Sequence, residues 1–274
     1  MSEPREALVA RLEALARRIR VHVVRIAGMS DCHTGGALSS ADLLAALYFH
    51  TLRVDPADPA WGGRDYFILS KGHTVPALSA ALAVRGFFAE DLLTTHLQLD
   101  SIISGHACAR ITPGVDVSTG SLGHGLSVGV GCALGVRMDG GDNRVFVMLG
   151  DGELQEGSNW EAAMAAAHHH LDHLVAIVDR NQYQTGPTEE MMALEPLAAK
   201  WAAFGWSVRT INGHDMRAIV ATLESLPFEP GRPSAIVAET VKGQGVSLSR
   251  HHHMDRFDEA QRRAALAELG EPAA

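Results

Sequence analysis

The chain has 274 residues, is 46% hydrophobic and carries a formal net charge of −9 with a pI near 5.9. Length and apolar content suffice for one large core. The acidic balance argues against nucleic acid as the main partner, and no uncharged apolar run reaches the roughly 18 residues of a membrane span. The segment Met1–Glu6 is charged and lacks an apolar signal core. Three cysteines (Cys32, Cys108, Cys132) form neither a disulfide framework nor a metal-ligand spacing. The expectation is a soluble cytoplasmic protein with neither a membrane nor a nucleic acid as partner.

In chain order, Leu8, Leu12, Leu15, Ile19, Val23 and Ile26 recur at spacings of three and four, which predicts a first helix stopped near Gly28. A loop from Ser30 to Gly36 follows, and Ser39 or Ser40 is placed to cap a second helix carrying Leu43, Leu44, Leu47 and Tyr48. Short apolar runs then predict strands over Tyr66–Leu69, Val145–Leu149, Leu174–Val178, Ser207–Ile211 and Ala235–Ala238. Helical stretches lie between them, at Pro76–Arg85, Gly123–Met138, Glu153–His170, Leu194–Phe204 and Met216–Leu226, with a last helix near Asp258–Leu269. Strands alternating with helices predict an α/β fold with a central, mostly parallel sheet and helices on both faces. Ligands of such sheets bind outside the carboxyl ends of the strands. His73, Asp151 and Asn181 stand at three of those ends.

Gly150-Asp151-Gly152 directly follows a predicted strand, with Glu153 expected to open the next helix. The glycines permit a sharp turn and close backbone approach to a ligand, and a helix start offers free N–H groups to an anion. Asp151 supplies a hard carboxylate oxygen suited to Mg²⁺ or Ca²⁺. Asn181 follows the next strand and adds an amide oxygen, and a main-chain carbonyl near Tyr183 offers a third ligand. Gly-Asp-Gly alone is an ordinary strand-to-helix turn; the partner Asn181 changes its meaning. The pair resembles the thiamine-diphosphate fingerprint, Gly-Asp-Gly followed after about thirty residues by Asn.

The surroundings resemble transketolase in particular. Gly150–Gly157 (GDGELQEG) is similar to that family's version of the fingerprint, and Ser118–Ser127 (STGSLGHGLS) to its next most specific loop. Ser70-Lys71-Gly72-His73, Ser104-Gly105-His106, His33–Ser39 (HTGGALS) and Lys242–Ser247 (KGQGVS) match in order and approximate spacing. The resemblance runs from about residue 10 to about residue 250, and it covers only the family's N-terminal, diphosphate-binding domain.

What the resemblance implies is a three-layer thiamine-diphosphate-binding fold, with residues 1–274 as one domain of a split enzyme. The pyrimidine-binding domain, with the glutamate that activates the cofactor, would come from a partner C-terminal subunit in an α2β2 heterotetramer. The implied activity is transfer of a two-carbon ketol unit from a ketose to an aldose, both sugars or sugar phosphates, through a cofactor-bound dihydroxyethyl carbanion. Thiamine diphosphate and Mg²⁺, or Ca²⁺ or Mn²⁺, are the implied cofactors. Asp151, Asn181 and the Tyr183 carbonyl are implied metal ligands. His73, Gly120, Ser121, Leu122, Gly152, Glu153 and Asn181 are assigned to the cofactor. His33, His73, His106 and Glu156 are assigned to catalysis, Glu156 at the partner interface, and His33 and His106 beside substrate hydroxyls.

The sequence also departs from the family pattern. Cys32 stands where Gly is usual, His124 where Gln is usual, and Ala107 where Pro is common. The late substrate-contacting histidine has no direct counterpart; among His251, His252 and His253, His252 or His253 is the candidate. These changes predict a substrate outside the standard pentose-phosphate set. Two other readings are half of a 1-deoxyxylulose-phosphate synthase-like or ketoacid-decarboxylating enzyme, and a non-catalytic regulatory subunit of the same fold. Glu153–Gly157 and the motif histidines favour transketolase over the first, and the retained Asp151, Asn181 and Glu156 speak against the second.

Overall fold

A computed structural model describes residues 3–271. Five strands form one sheet: β1 (Tyr66–Leu69), β2 (Val145–Gly150), β3 (Leu174–Arg180), β4 (Ser207–Asn212) and β5 (Ser234–Glu239). The order is β1-β2-β3-β5-β4 and every pairing is parallel. Parallel strands buried on both faces read as continuous apolar runs, which is why β2 and β3 are legible without alternation. Their side chains nonetheless divide by the two-residue period of a strand. Phe146, Met148, Val175 and Ile177 enter one core, and Val145, Val147, Leu149, Leu174, Ala176 and Val178 the other.

Two helical layers complete those cores. On the first face lie α1 (Arg5–Ala27), α2 (Thr34–Ser39), α3 (Ala41–Ala46) and α4 (Val75–Arg85), joined later by two more helices. On the second lie α5 (Gly125–Met138), α6 (Gly157–His168) and α8 (Leu197–Ala203), the last preceded by the short α7 (Thr188–Met191). The helices α9 (Met216–Glu224) and α10 (Glu259–Glu268) follow β4 and β5 and return to the first face. Asp258 starts α10 with a capping box shared with Gln261. The three-layer α/β expectation therefore holds.

Two local expectations fail. The loop expected through Gly36 turns helical at Thr34, and Ser40 stands at the N-cap position of α3 without capping it through its side chain, since Ser40 Oγ bonds back to the Gly36 carbonyl at 2.6 Å. Glu153 does not open the long helix either. A 3-10 turn spans Gly152–Gln155, and α6 begins only at Gly157. The carboxylate of Glu153 is the reason, because it folds back to accept from the amides of Gly150 (3.0 Å) and Gly123 (2.9 Å).

At the carboxyl end of the sheet, one buried ion pair ties the layers together. Lys71, just past β1, carries its stem across Gly150 and pairs with Asp179 near the end of β3. Neither side chain is more than 2% exposed. The ammonium also donates to the Gly36 carbonyl and Ser40 Oγ, both at 3.0 Å. Asp179 additionally accepts from Ser39 Oγ at 2.6 Å and from Thr240 Oγ1. Removing one partner of such a pair strands a charge in the interior. We predict that Lys71→Met lowers the unfolding free energy by about 3–5 kcal/mol in urea titrations, and that adding Asp179→Asn restores part of the loss.

Candidate functional site

The ends of β1, β2 and β3 open onto a single cavity of about 280 Å³, slightly below the roughly 300–1,000 Å³ of typical small-molecule sites. His33, Lys71, His73, Leu122, Gly150 to Glu153, Glu156, Asn181, Tyr183, Lys242 and His253 all line it. The strand-end reasoning thus brings His73, Asp151 and Asn181 together. Gly152 stands where a side chain would not fit, since a Cβ there would lie 2.7 Å from Gln184 Cβ.

Asp151 is 1% exposed and heavily engaged. Its Oδ1 accepts from the Gly152 amide at 2.7 Å, and its Oδ2 from the Gln182 amide (2.7 Å) and Arg180 Nη1 (2.8 Å). Burial nevertheless pushes its carboxyl above the usual range, because desolvation outweighs these donors and Asp179 adds a like charge. Asn181 donates to Asp179 Oδ2 and Ser39 Oγ, which fixes which end of its amide is nitrogen. Its oxygen accepts from the Tyr183 amide at 3.0 Å. Two hard oxygens on adjacent strand ends therefore share one cavity, the donor set a Mg²⁺-type ion takes together with phosphate oxygens.

The other expected residues divide. Glu153 is a brace: through Ser70, Gly123 and Gly150 it joins the 118–125 loop to the turn after β2. Burial raises its carboxyl as well. Leu122 reaches the cavity wall, whereas Gly120 and Ser121 lie outside the lining. Gly120 sits at φ +148°, where a Cβ would fall 2.8 Å from the His106 ring, so this loop and His106 share the rim. His106 itself is exposed and does not line the cavity. Glu156 lines it from an exposed position.

Among the late histidines, His253 lines the cavity and His251 and His252 do not. His252 turns outward, 66% exposed and 3.5 Å from Asp255, and His251 meets the Tyr183 hydroxyl at 3.2 Å. His253 packs its ring edge-on against His33 with centroids 4.6 Å apart. The main chain at Cys32 holds this segment in place. Its amide and carbonyl pair with those of Asp255 at 3.0 and 2.9 Å, so the late segment docks directly on the first loop. Cys32 is buried there, its thiol pushed up to about 12 by desolvation, and it is a filler rather than a nucleophile.

Several supporting residues are not singled out by sequence reasoning. Lys71 stands inside a recognised motif and Asp179 just past a predicted strand, neither with a role, and their bond depends on strand order, which a sequence does not print. Arg180, Gln155 and Gln184 escape it likewise. Gln155 Nε2 holds the Met192 carbonyl at 2.7 Å, and its Oε1 accepts from Gln184 Nε2 at 2.7 Å, strapping the 182–192 segment to the turn after β2.

Comparison with known proteins gives a consistent picture. Residues 12–259 match the family model described as transketolase, thiamine diphosphate binding domain. A 6-deoxy-6-sulfo-D-fructose transketolase subunit of Clostridium sp. (strain MSTE9) is 46% identical, over 86% of this chain and 88% of that one. An apulose-4-phosphate transketolase subunit of Phocaeicola vulgatus is 42% identical, over 93% and 94%. Among solved structures, transketolase from Leishmania mexicana superposes with a TM-score of 0.88 at 29% identity, covering 95% of this chain and 41% of that one. The chain thus spans about two fifths of that full-length enzyme but nearly all of the separate subunits.

The cavity's imidazoles are held neutral. Burial, the Lys71 charge and neighbouring histidines push His73 down to about 2, and burial also lowers His33 and His253. His33 Nδ1 contacts the His253 carbonyl at 2.8 Å. A carbonyl only accepts, so Nδ1 carries the proton and Nε2 is left as an acceptor. A folded-state pKa depressed below the unfolded value near 6.5 means the unfolded chain takes up protons that the folded chain refuses. The stability contributed is complete above that value and is lost as pH falls. We predict that His73→Gln flattens the decline of unfolding free energy between pH 6.5 and about pH 5 in urea titrations; an unchanged slope would refute the assignment.

Proposed function

We propose a function from one premise: the chain belongs to the transketolase family, as its thiamine-diphosphate-binding domain. On this reading it is the N-terminal subunit of a two-component transketolase, moving a two-carbon ketol unit from a ketose to an aldose. The observation that carries the reading is the convergence of Asp151 and Asn181, from adjacent parallel strand ends, on the cavity that also holds His33, His73 and His253.

The residues present fit a metal-bound diphosphate. Asp151 and Asn181 offer hard oxygens to Mg²⁺, Ca²⁺ or Mn²⁺, with the Tyr183 carbonyl as a third ligand, and the absent side chain of Gly152 lets Gln184 close against the turn that carries Asp151. When bound, thiamine diphosphate supplies a nucleophilic carbon and an electron sink for chemistry at a sugar carbonyl. The chain's own residues do the rest. His73 and Leu122 would hold the cofactor from the cavity wall and the Gly120–Ser121 backbone would meet it from the rim, with Glu153 keeping their loop in place. His33, through Nε2, accepts a proton from a sugar hydroxyl, with His253 beside it in the wall and His106 at the rim outside the cavity.

Glu156 and His106 are exposed at that rim because, on this reading, the partner's pyrimidine-binding domain covers them in an α2β2 assembly. Two facts support the partner: the relatives of matching length are themselves named as subunits, and the chain covers two fifths of a full-length enzyme. A cytoplasmic location belongs to the same reading and is in keeping with three unpaired cysteines. The substrate lies outside the standard pentose-phosphate set. Supporting this are the late segment that sets His253 against His33, and relatives named for a sulfonated deoxyketose and for apulose 4-phosphate.

Two outcomes follow. Asp151→Ala loses metal-dependent thiamine diphosphate binding in calorimetry while keeping its far-ultraviolet circular dichroism; binding at wild-type affinity would remove Asp151 from the site. With its partner chain, the protein turns over xylulose 5-phosphate and ribose 5-phosphate poorly, at a kcat/KM below about 10⁴ M⁻¹s⁻¹. Ordinary efficiency with that pair would end the substrate reading.

A further inference from the structure

Two ammonium groups line the cavity, and they differ in how they are held. Lys71 is paired with Asp179, whereas among the described residues no carboxylate pairs with Lys242. The Lys242 ammonium donates to the Gln184 carbonyl at 3.0 Å and stands over the Tyr183 ring, 5.3 Å from its centre. Its stem reaches that place by crossing Gly35, where a Cβ would fall 2.8 Å from Lys242 Cγ and 2.9 Å from Cε. So narrow a passage demands a fixed starting point, which is the main chain at residue 242.

That main chain is pinned on both sides from outside its own turn. The Gly243 amide donates to the Gly35 carbonyl at 2.9 Å, and the Val241 amide to His214 Nε2 at 2.8 Å. His214 stands between β4 and α9, and its Nδ1 meets Asp42 Oδ2 at 2.7 Å. A carboxylate only accepts and a main-chain amide only donates, so Nδ1 carries the proton and Nε2 the lone pair. The His214 and Asp42 side chains are 13% and 9% exposed, which leaves water little access to either bond.

Asp42 does not need His214 for its charge balance. Arg20 of α1 bonds both carboxylate oxygens, Nη1 to Oδ1 at 3.1 Å and Nη2 to Oδ2. Burial works to raise the Asp42 carboxyl, but the bonds from His214 and Arg20 outweigh it and hold the group below its usual range. What His214 alone adds to this cluster is an acceptor for Val241. Asp42 fixes the ring, the ring fixes the amide, and the amide fixes where the Lys242 side chain begins.

We propose that His214 is a positioning residue that, steadied by Asp42, sets the main chain at Val241 so that Lys242 enters the cavity. Lys242 matters to ligand binding on the reading that the cavity takes thiamine diphosphate with a metal; its place in the cavity does not depend on that reading.

Lys71, Lys200 and Lys242 are the chain's only lysines, so labelling lysine with carbon-13 at Cε gives one nuclear magnetic resonance signal for each. The Tyr183 ring displaces the Lys242 signal, and Lys242→Met identifies it by its loss. Two variants separate the ends of the imidazole. His214→Asn carries an amide at the depth of Nδ1, within reach of Asp42 and short of Val241, and His214→Gln carries one at the depth of Nε2. The full chain is measured with and without its partner chain. In His214→Asn the Lys242 signal is expected to move towards that of a solvated lysine, and in His214→Gln to stay near its wild-type place, with the Lys71 signal unmoved in both. At saturating Mg²⁺ with the partner present, His214→Asn weakens thiamine diphosphate binding about ten-fold, and adding it to Lys242→Met weakens binding no further. An unmoved Lys242 signal in His214→Asn overturns the positioning role, as does an equal loss of affinity in the Lys242→Met background. Loss of the Lys71 and Lys242 signals together in both variants makes His214 a packing residue and overturns it as well. Wild type that binds no thiamine diphosphate overturns the cofactor reading instead, and the lysine signals then decide on His214 alone.

Discussion

The buried pair of Lys71 and Asp179 is the constraint on which the rest of the site depends. A charge pair taken wholly out of water is worth keeping only if its remaining donors and acceptors are also satisfied. Here they are: the ammonium reaches Gly36 and Ser40, and the carboxylate accepts from Ser39, Thr240 and Asn181. These partners come from separate pieces of the cavity. One electrostatic requirement therefore fixes the α2 segment, the β1 exit, the amide orientation of Asn181 and the exit of β5 at once. A second buried cluster works to the same end. Asp42 holds Arg20 from α1 and His214 after β4, and His214 Nε2 accepts from the Val241 amide at 2.8 Å, beside Lys242.

The same dryness that makes the ion pair costly sets the protonation of the cavity. Three imidazoles within 4.6 to 6.2 Å of one another, next to an ammonium, cannot all be charged. They stay neutral, and hydrogen bonding decides which nitrogen of His33 is available. The free acceptor at His33 Nε2 thus follows from a carbonyl in the late segment, and in turn from a backbone pairing at position 32 that the family's usual glycine would also permit. The departure at Cys32 changes what fills the space beneath this pairing, a thiol buried against the core, and leaves the pairing itself to the main chain.

Much of this is legible in the residues, and what is not has a physical pattern. The five strands are readable because each is a short apolar run ended by turn residues, and the carboxyl-end rule then carries His73, Asp151 and Asn181 to one place. Glu153 is misread because helix periodicity runs through it, while its actual bonds go to Gly123 and Gly150, one of them thirty residues earlier in the chain. Arg180 reads as an ordinary strand-end cation; only the adjacency of β2 and β3 puts it on Asp151. Among His251, His252 and His253 no sequence rule discriminates, and the Asp255–Cys32 pairing does. Long-range polar contacts between strand ends are what a linear pattern cannot supply.

The exposure of particular side chains gives the half-site reading its physical content. Within the cavity, polarity is matched group by group: Asp151 has three donors, Asn181 uses both ends of its amide, and Lys242 donates to the Gln184 carbonyl at 3.0 Å. At the rim this matching stops. His106, Ser121 and Glu156 are exposed and lie on one side, joined through Gly120 and Gly123, whose absent side chains would collide with His106 and Glu156 respectively. Two glycine-bearing turns that press such side chains together at a solvent-facing edge make sense where a second surface must approach closely. On the proposed reading that surface is the partner's. On that same reading the cavity would take the diphosphate and metal, and the rest of the ligand would lie between this rim and the partner.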